Sequence, residues 1–466
     1  MQERTVDVAI IGSGTAGLNA VGQVRKTGKS FVLINGGEVG TTCARVGCMP
    51  SKAMIQIAED YHRRTTFPRH GIEGSDALEL TTTDAMEHVR DLRDSFVERV
   101  TSNSTDKMGD KFIEGFAEFL DANTLKVNDE IIHATKIIVA TGSRPIVPAE
   151  WEQFRDRIIT SDEIFELEAL PGSMAVIGLG VIGLELGQAL HRYGVEVTGI
   201  DIRNSIGGLT DPDLVKAAVE IFSKEFPIWL GQPARISREE DMLRVTAGDN
   251  SVLVDYLLLS MGRTPNLEKL GLEKLNLPVG DNVVPVHNSH TMQVADLPIF
   301  LAGDATGERP ILHEAGDEGR IAGYNAAREE ITAFARKTHL AITFCDPNIA
   351  MVGKTWDLLD HDQVAVGEMR FAPVGRALIM AKNKGLLRVY ANKSDGTLLG
   401  AEMACVKGEN LAHLLAWSIQ QGRTVFDLLK MPFYHPVIEE ALQAALNDLA
   451  GKIEQQPQGL LELDLL

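Results

Sequence analysis

The chain has 466 residues, enough at roughly 150 per domain for about three domains and a sizeable core. Hydrophobic side chains make up 44% and charged ones 24%, a globular rather than a disordered balance. With 45 basic against 65 acidic side chains the formal charge is −20, which repels nucleic-acid phosphate and anionic lipid, so neither nucleic acid nor membrane is an expected partner.

The opening MQERTVDVAIIGSG has no basic start, no long apolar stretch and no small-residue cleavage site, so no targeting segment is read there. Residues 6–11 form an apolar β-branched run, followed by a glycine turn, a helical pattern and a second strand over 31–34, which is a βαβ unit. The segment GTTCARVGCMPSK comes next, then a charged helical stretch over about 84–111 and strand signals ending at ATGSRP (140–145). The strand–turn–helix–strand pattern returns over 173–201, its glycine turn 166 residues after the first. That spacing is too long for a solenoid and suits two separate mononucleotide-type domains. The longest apolar run, 174–184, stops at Glu185 and falls short of the roughly 18 residues a membrane span needs. Short strand-like runs follow residue 262, among them LPIFLAGDA (297–305). From about residue 340 the strands AITF, IAMVG and LLRVYA precede the helices NLAHLLAWSIQQG and VIEEALQAALNDLAG, an α+β arrangement. The tail EQQPQGLLELDLL reads as an arm.

The first turn is Gly12-Ser13-Gly14-Thr15-Ala16-Gly17. In a GxGxxG turn the first glycine makes the bend, the second lets a pyrophosphate approach the backbone, and the third allows close helix–strand packing, while the helix N-terminus offers amides to phosphate. The acid that would close the second strand is replaced by Asn35, which still offers a donor and an acceptor to a ribose. The second turn is Gly178-Leu179-Gly180-Val181-Ile182-Gly183, and its strand ends in Asp201. A carboxylate there bonds a ribose 2′-hydroxyl and repels a 2′-phosphate, which favours NAD over NADP. Arg203, two residues on, reads as a solvated surface arginine.

Cys43 and Cys48 are separated by four residues. A disulfide closing so short a loop stabilises little, and a metal site would want further Cys or His close by. Pro50 suits a first helical turn, which puts Cys48 at the positive end of a helix, where a thiolate is favoured. A redox-active pair is the expected reading. Four cysteines do not make a disulfide scaffold, and the expected compartment is the cytoplasm; Cys345 and Cys405 read as buried structural thiols.

Two nucleotide turns, a CxxxxC after the first, ATGSRP, MGRTPN (261–266), FLAGDAT (300–306) and a late HPxxxE stand here in one order. The whole resembles the pyridine-nucleotide–disulfide oxidoreductase family of flavoproteins, and GCMPSK (47–52) is most similar to its dihydrolipoamide dehydrogenase branch, which writes CxPSK, with Ser51 where glutathione reductases tend to carry a second basic residue. The resemblance implies an α/β fold with two Rossmann-like domains and a C-terminal α+β dimerisation domain. The implied boundaries are 1–150 for FAD, 151–270 for NAD, 271–340 for a central domain completing the FAD site, and 341–466 for the interface. It implies FAD contacts from Gly12, Gly14, Gly17, Asn35, Thr42, Lys52, Thr141, Gly142, Arg263, Gly303 and Asp304, and NAD contacts from Gly178, Gly180, Gly183 and Asp201. Cys48 would face the flavin and Cys43 would exchange with substrate. Lys52 and Glu185 match an ion pair kept near the reactive flavin nitrogen; Lys52 lies one helical turn past Cys48.

His435 and Glu440 match HPTxSE as base and orienter, although Val437 and Glu439 replace the threonine and serine, Tyr434 precedes the histidine, and Glu439 is a second candidate partner. The implied assembly is a homodimer in which His435 serves the partner chain's disulfide. The implied reaction is oxidation of dihydrolipoamide, free or protein-bound, with NAD+ through FAD. The alternatives are an NAD(P)H-dependent reductase of another disulfide, such as glutathione, and a non-catalytic flavin-binding subunit. No metal site is expected.

Overall fold

The computed structural model describes residues 2–277 and 284–463. Residue 1, residues 278–283 of the expected central domain and the last three residues of the expected arm lie outside the described residues. The chain divides into two compact units, one of Met1–Ser51, Glu87–Ile146 and Gly262–Arg336, the other of Lys52–Met86, Val147–Met261 and Lys337–Leu466.

The first unit is built on a sheet that has seven strands among the described residues. Its centre is the strand Gln2–Ile11, running parallel to Phe31–Asn35 on one side and Glu130–Val139 on the other. The flanking strands Phe112–Glu114 and Ile299–Leu301 are also parallel to their neighbours, while Thr124–Val127 and Ala117–Asp121 extend the sheet as antiparallel strands. Val8, Ile10, Leu33 and Ile138 are buried on one face and Ala9, Val32, Ile34 and Ile137 on the other, as continuous apolar strands covered on both sides require. The helix Thr15–Arg25 lies directly on the helix Leu312–Ala326. A Cβ added at Gly319 would stand 2.1 Å from Ala16 O, and one at Gly323 would stand 2.6 Å from Ala20 O, so the two backbones touch where glycine faces alanine.

The second unit holds a five-stranded, all-parallel sheet in the order Ile228–Leu230, Glu196–Asp201, Ser173–Ile177, Tyr256–Leu259, Ile158–Thr160. It also holds a five-stranded antiparallel sheet in the order Leu340–Thr343, Asn348–Gly353, Leu398–Cys405, Gly385–Asn392, Val364–Arg370. The helices Gly408–Gln420 and Glu440–Ala450 bury Leu411, Leu415, Leu442, Leu446 and Leu449 against Val389, Ala401 and Met403 of that sheet. Each unit thus carries one Rossmann-type sheet, and the C-terminal sheet and helices form the expected α+β layer. Boundaries moved slightly: the charged helix is Thr82–Asn103 and ends in two short turns, and the last helix starts at Glu440 rather than 437. Cys345 and Cys405 are buried as expected; burial raises both thiols above their ordinary range. No helix among the described residues is long and apolar enough to cross a membrane.

Candidate functional site

The two glycine turns repeat one geometry. Gly12 has φ +108, and an added Cβ would stand 2.2 Å from Ala140 O; at Gly17 it would stand 1.9 Å from Gly12 O. The corresponding glycines of the second unit behave alike: Gly178 has φ +94 and an added Cβ 2.4 Å from Ser260 O, and at Gly183 it would stand 1.8 Å from Gly178 O. The middle glycines differ from these. Nothing lies within 4 Å of a Cβ built at Gly14 or Gly180, so open space faces the backbone where a pyrophosphate would approach. The helices Thr15–Arg25 and Val181–Arg192 begin directly behind them and present the amides and dipole that suit phosphate.

The residues ending each second strand also correspond. Asn35 Oδ1 accepts from Ser13 N at 3.2 Å, and its Nδ2 donates to Gly37 O at 2.6 Å. Asp201, buried, accepts from Leu179 N at 2.7 Å and from Arg203 N at 2.8 Å. Both side chains brace their glycine turn through the same amide. Asparagine does this without charge where an acid was expected. Arg203 is exposed, as the sequence suggested.

Within the first unit Asp304 is joined to two other residues. Ser143 Oγ donates to Asp304 Oδ2 at 2.7 Å, and Arg263 donates through Nε to Ser143 Oγ and through a terminal nitrogen to Ser143 O, both at 2.8 Å. Gly142 and Gly303 both take φ +71, which favours glycine. Thr141 Oγ1 is shielded from solvent with no hydrogen-bond partner among the described residues. A buried hydroxyl is normally satisfied, so this one is available to a ligand. The open glycine turn and this orphaned hydroxyl fit a dinucleotide in the first unit. Ser143 was not singled out from the sequence, although it sits inside ATGSRP.

The cysteines lie at the junction of two helices. Cys43 is in the short helix Thr42–Arg45, and Cys48 is the first residue of the helix Cys48–Arg63; both are half-buried. Thr41 caps the short helix from φ +63, its hydroxyl accepting from Ala44 N at 3.3 Å. That backbone region is unfavourable for a β-branched residue. A Cβ at Gly47 would stand 3.3 Å from Cys43 Cα; the missing side chain lets the residue before Cys48 close against Cys43. Ser51 N donates to Gly47 O at 3.2 Å, which starts the helix at Cys48.

In the second unit Lys52 Nζ is 2.8 Å from Glu185 Oε2, the pairing expected from the resemblance. Glu185 is buried on the helix Val181–Arg192. His435 Nδ1 is 2.7 Å from Glu440 Oε1, and Glu440 Oε2 accepts from Val437 N at 3.0 Å. These bonds, first the histidine and then the amide, hold the Glu440 carboxyl below its usual range. An ionised carboxylate only accepts, so Nδ1 carries the proton and the neutral ring offers Nε2 as a base. The imidazole is 82% exposed, reachable by a large substrate. Glu439 instead lines a cavity of about 580 Å³ with Trp417, Phe433, Tyr434 and Val437.

Comparison with known proteins agrees with this architecture. Residues 6–329 match the family model Pyridine nucleotide-disulphide oxidoreductase, and residues 340–446 match its dimerisation domain, which supports a homodimer. Dihydrolipoyl dehydrogenase 2 of Haloarcula marismortui is 29% identical over 96% of this chain and 97% of its own length. The dihydrolipoyl dehydrogenase of Thermus scotoductus is 28% identical over 96% and 98%. Among solved structures, the HOCl-induced flavoprotein disulfide reductase RclA from Escherichia coli, seen as a Cu(II) complex, superposes with a TM-score of 0.82 at 23% identity over 96% of this chain and 99% of that one. LpdA from Mycobacterium tuberculosis has the same TM-score, identity and coverage; at that identity both bear on fold alone. The chain belongs to the pyridine nucleotide-disulphide oxidoreductase family, FAD- and NAD-using oxidoreductases that act on sulfur groups.

Proposed function

We propose that this chain is a dihydrolipoyl dehydrogenase, oxidising dihydrolipoamide, free or protein-bound, to lipoamide with NAD+ through a Cys43–Cys48 disulfide. The observation that carries the reading is the placement of Cys48 as the first residue of a helix, with Gly47 closing that residue's neighbour onto Cys43. A helix start favours the anionic form of a departing sulfur. The names of the relatives, all about 28% identical over nearly the whole chain, support the substrate class.

One substrate thiol gives its proton to Nε2 of His435, contributed by the partner subunit. Its sulfur attacks Cys43 Sγ; the new S–S bond forms as the Cys43–Cys48 bond breaks, and Cys48 leaves as a thiolate. The second substrate sulfur then closes the lipoyl ring by attacking the first. Its proton passes to the departing Cys43 sulfur, and the His435 proton goes to solvent. The cysteine pair now holds two electrons. Bound FAD would supply the two-electron chemistry that links this reduced pair to NAD+. In the first unit Gly12, Gly14, Gly17, Asn35, Thr42, Thr141, Gly142, Arg263, Gly303 and Asp304 would hold FAD. In the second, Lys52 would meet it, and Gly178, Gly180, Gly183 and Asp201 would hold NAD.

Anaerobic titration of the FAD holoenzyme with dihydrolipoamide is expected to produce long-wavelength absorbance from a thiolate beside the flavin, discharged by NAD+. Cys48→Ser is expected to keep FAD bound yet lose both this absorbance and lipoamide turnover. Unchanged turnover would reject the assignment. A second reading, reduction of another disulfide, draws on Val437 and Glu439 in the histidine motif; turnover on glutathione disulfide exceeding that on lipoamide would favour it.

A further inference from the structure

We propose that Phe344 is a positioning residue of the redox centre, holding both members of the Lys52–Glu185 pair at once. Its backbone N–H donates to Glu185 Oε1 at 2.7 Å, while Lys52 donates to the other carboxylate oxygen at 2.8 Å. Its ring lies under the Lys52 ammonium, Nζ to centroid 4.6 Å. That is within cation–π range. One residue therefore contacts the anion through its peptide and the cation through its side chain.

The segment carrying Phe344 is itself fixed by one face of the helix Val181–Arg192. Glu185 takes the Phe344 amide. Gln188 accepts from Asp346 N at 2.8 Å and donates to Asp346 O at 2.9 Å, and Arg192 meets Asp346 Oδ2 at 3.4 Å. Residues spaced three and four apart share a helix face, so this face grips residues 344 and 346 by main chain and side chain together. Cys345 Sγ donates to Pro347 O at 3.1 Å between them. The ring cannot move far while the segment is held. A lysine has a flexible four-carbon stem and a point charge, and the bond to Glu185 fixes a distance; the ring restricts the direction from which the ammonium reaches it.

The inference rests on the assignment of Lys52 to the redox centre, and it has a convenient test because the amide bond to Glu185 survives any substitution of the side chain. Phe344→Leu removes the ring alone. In the FAD holoenzyme it is expected to shift the flavin midpoint potential in the negative direction, as the positive charge loses its fixed place. It is also expected to lower turnover about 3- to 30-fold, the span of one cation–π contact. Phe344→Trp, which keeps a π face, is expected to restore both, and the melting temperature is expected to stay near that of the unaltered protein. Lys52→Met is measured alongside, alone and combined with Phe344→Leu. A ring acting through the ammonium produces no further shift once Lys52 is gone. An equal Phe344→Leu shift in both backgrounds would overturn the proposal. So would a Lys52→Met shift with none from Phe344→Leu, which leaves the role of Lys52 standing. No shift from Lys52→Met would remove Lys52 from the redox centre and the proposal with it. Phe344→Met is read in parallel as a second ring deletion, should the leucine variant yield no folded holoprotein.

Discussion

His435, the proposed base, shows how little a side chain needs from its own surroundings when a neighbour orients it. The ring is solvent-exposed, and its hydrogen bond to Glu440 decides which nitrogen is basic. Replacing it with Gln keeps a donor for Glu440 and removes the base. Lipoamide turnover is expected to fall about 100-fold or more, the scale of a lost general base, with NADH binding unchanged in a direct titration. Glu440→Gln is milder, about tenfold, the scale of one charge-assisted hydrogen bond. Because the carboxyl is held below its usual range, it stays ionised at every pH where a histidine titrates. In the unaltered protein Glu440 therefore adds no limb to the pH–rate profile across the histidine range, and Glu440→Gln is expected to lower its plateau. The preference of His435 for Glu440 over Glu439 was open in the sequence, since the two carboxylates follow at four and five residues and only the nearer one matches a helical spacing. The late start of the helix at Glu440 settles it by bringing that side chain back to the histidine and leaving Glu439 at the cavity.

At the scale of the element, the glycine turns separate a folding role from a binding role. Gly183→Ala drives a methyl group into Gly178 O, an overlap with backbone that cannot be relieved by a rotamer change. A loss of at least about 3 kcal/mol in stability is expected by denaturant titration. Gly180→Ala meets open space, so stability is expected to stay within about 0.5 kcal/mol while KM for NADH rises about tenfold. Equal stability for the two variants would contradict this division. Both turns were legible from the sequence because their geometry is local: a strand, a tight bend and a helix start occupy a dozen consecutive residues. The placement of Cys48 at a helix start was legible for the same reason. The Ser143–Asp304 bond was not, since its partners lie 161 residues apart and no short-range pattern announces such a pairing. Phe344 likewise looks like one more apolar residue after a strand. Only the folded chain brings its ring to Lys52.

On the whole-molecule scale, the buried charges of the second unit predict how stability responds to acid. His62 and His191 are both held below the ordinary histidine range, chiefly by burial, with Arg192 adding repulsion. A base whose folded pKa is lowered binds its proton more readily when unfolded. The stability it confers is complete above its unfolded pKa, near 6.5, and is lost as the pH falls through that value. Between pH 7.5 and 5.5 the melting temperature is expected to fall, and His62→Gln is expected to reduce that fall by about 1–2 °C. An identical pH dependence in the variant would count against the role of His62. Fold class was legible across nearly the entire chain because the motifs occur in order. The network around Arg192, Glu225 and Asp346 was not, because it joins side chains from distant segments.

The contact of Gly319 and Gly323 with Ala16 and Ala20 also bears on how the protein comes to be made. The helix that backs the first nucleotide turn leaves the ribosome early, but the wall it packs against is encoded some three hundred residues later, after most of the other unit has emerged. Such a layout postpones maturation of the N-terminal end: the nascent chain carries an unfinished βαβ piece, apolar on the side that awaits its glycine-lined partner, through most of translation. The topology therefore sets the completion of this N-terminal layer late, after the residues near 320 have emerged, rather than at the first residues made.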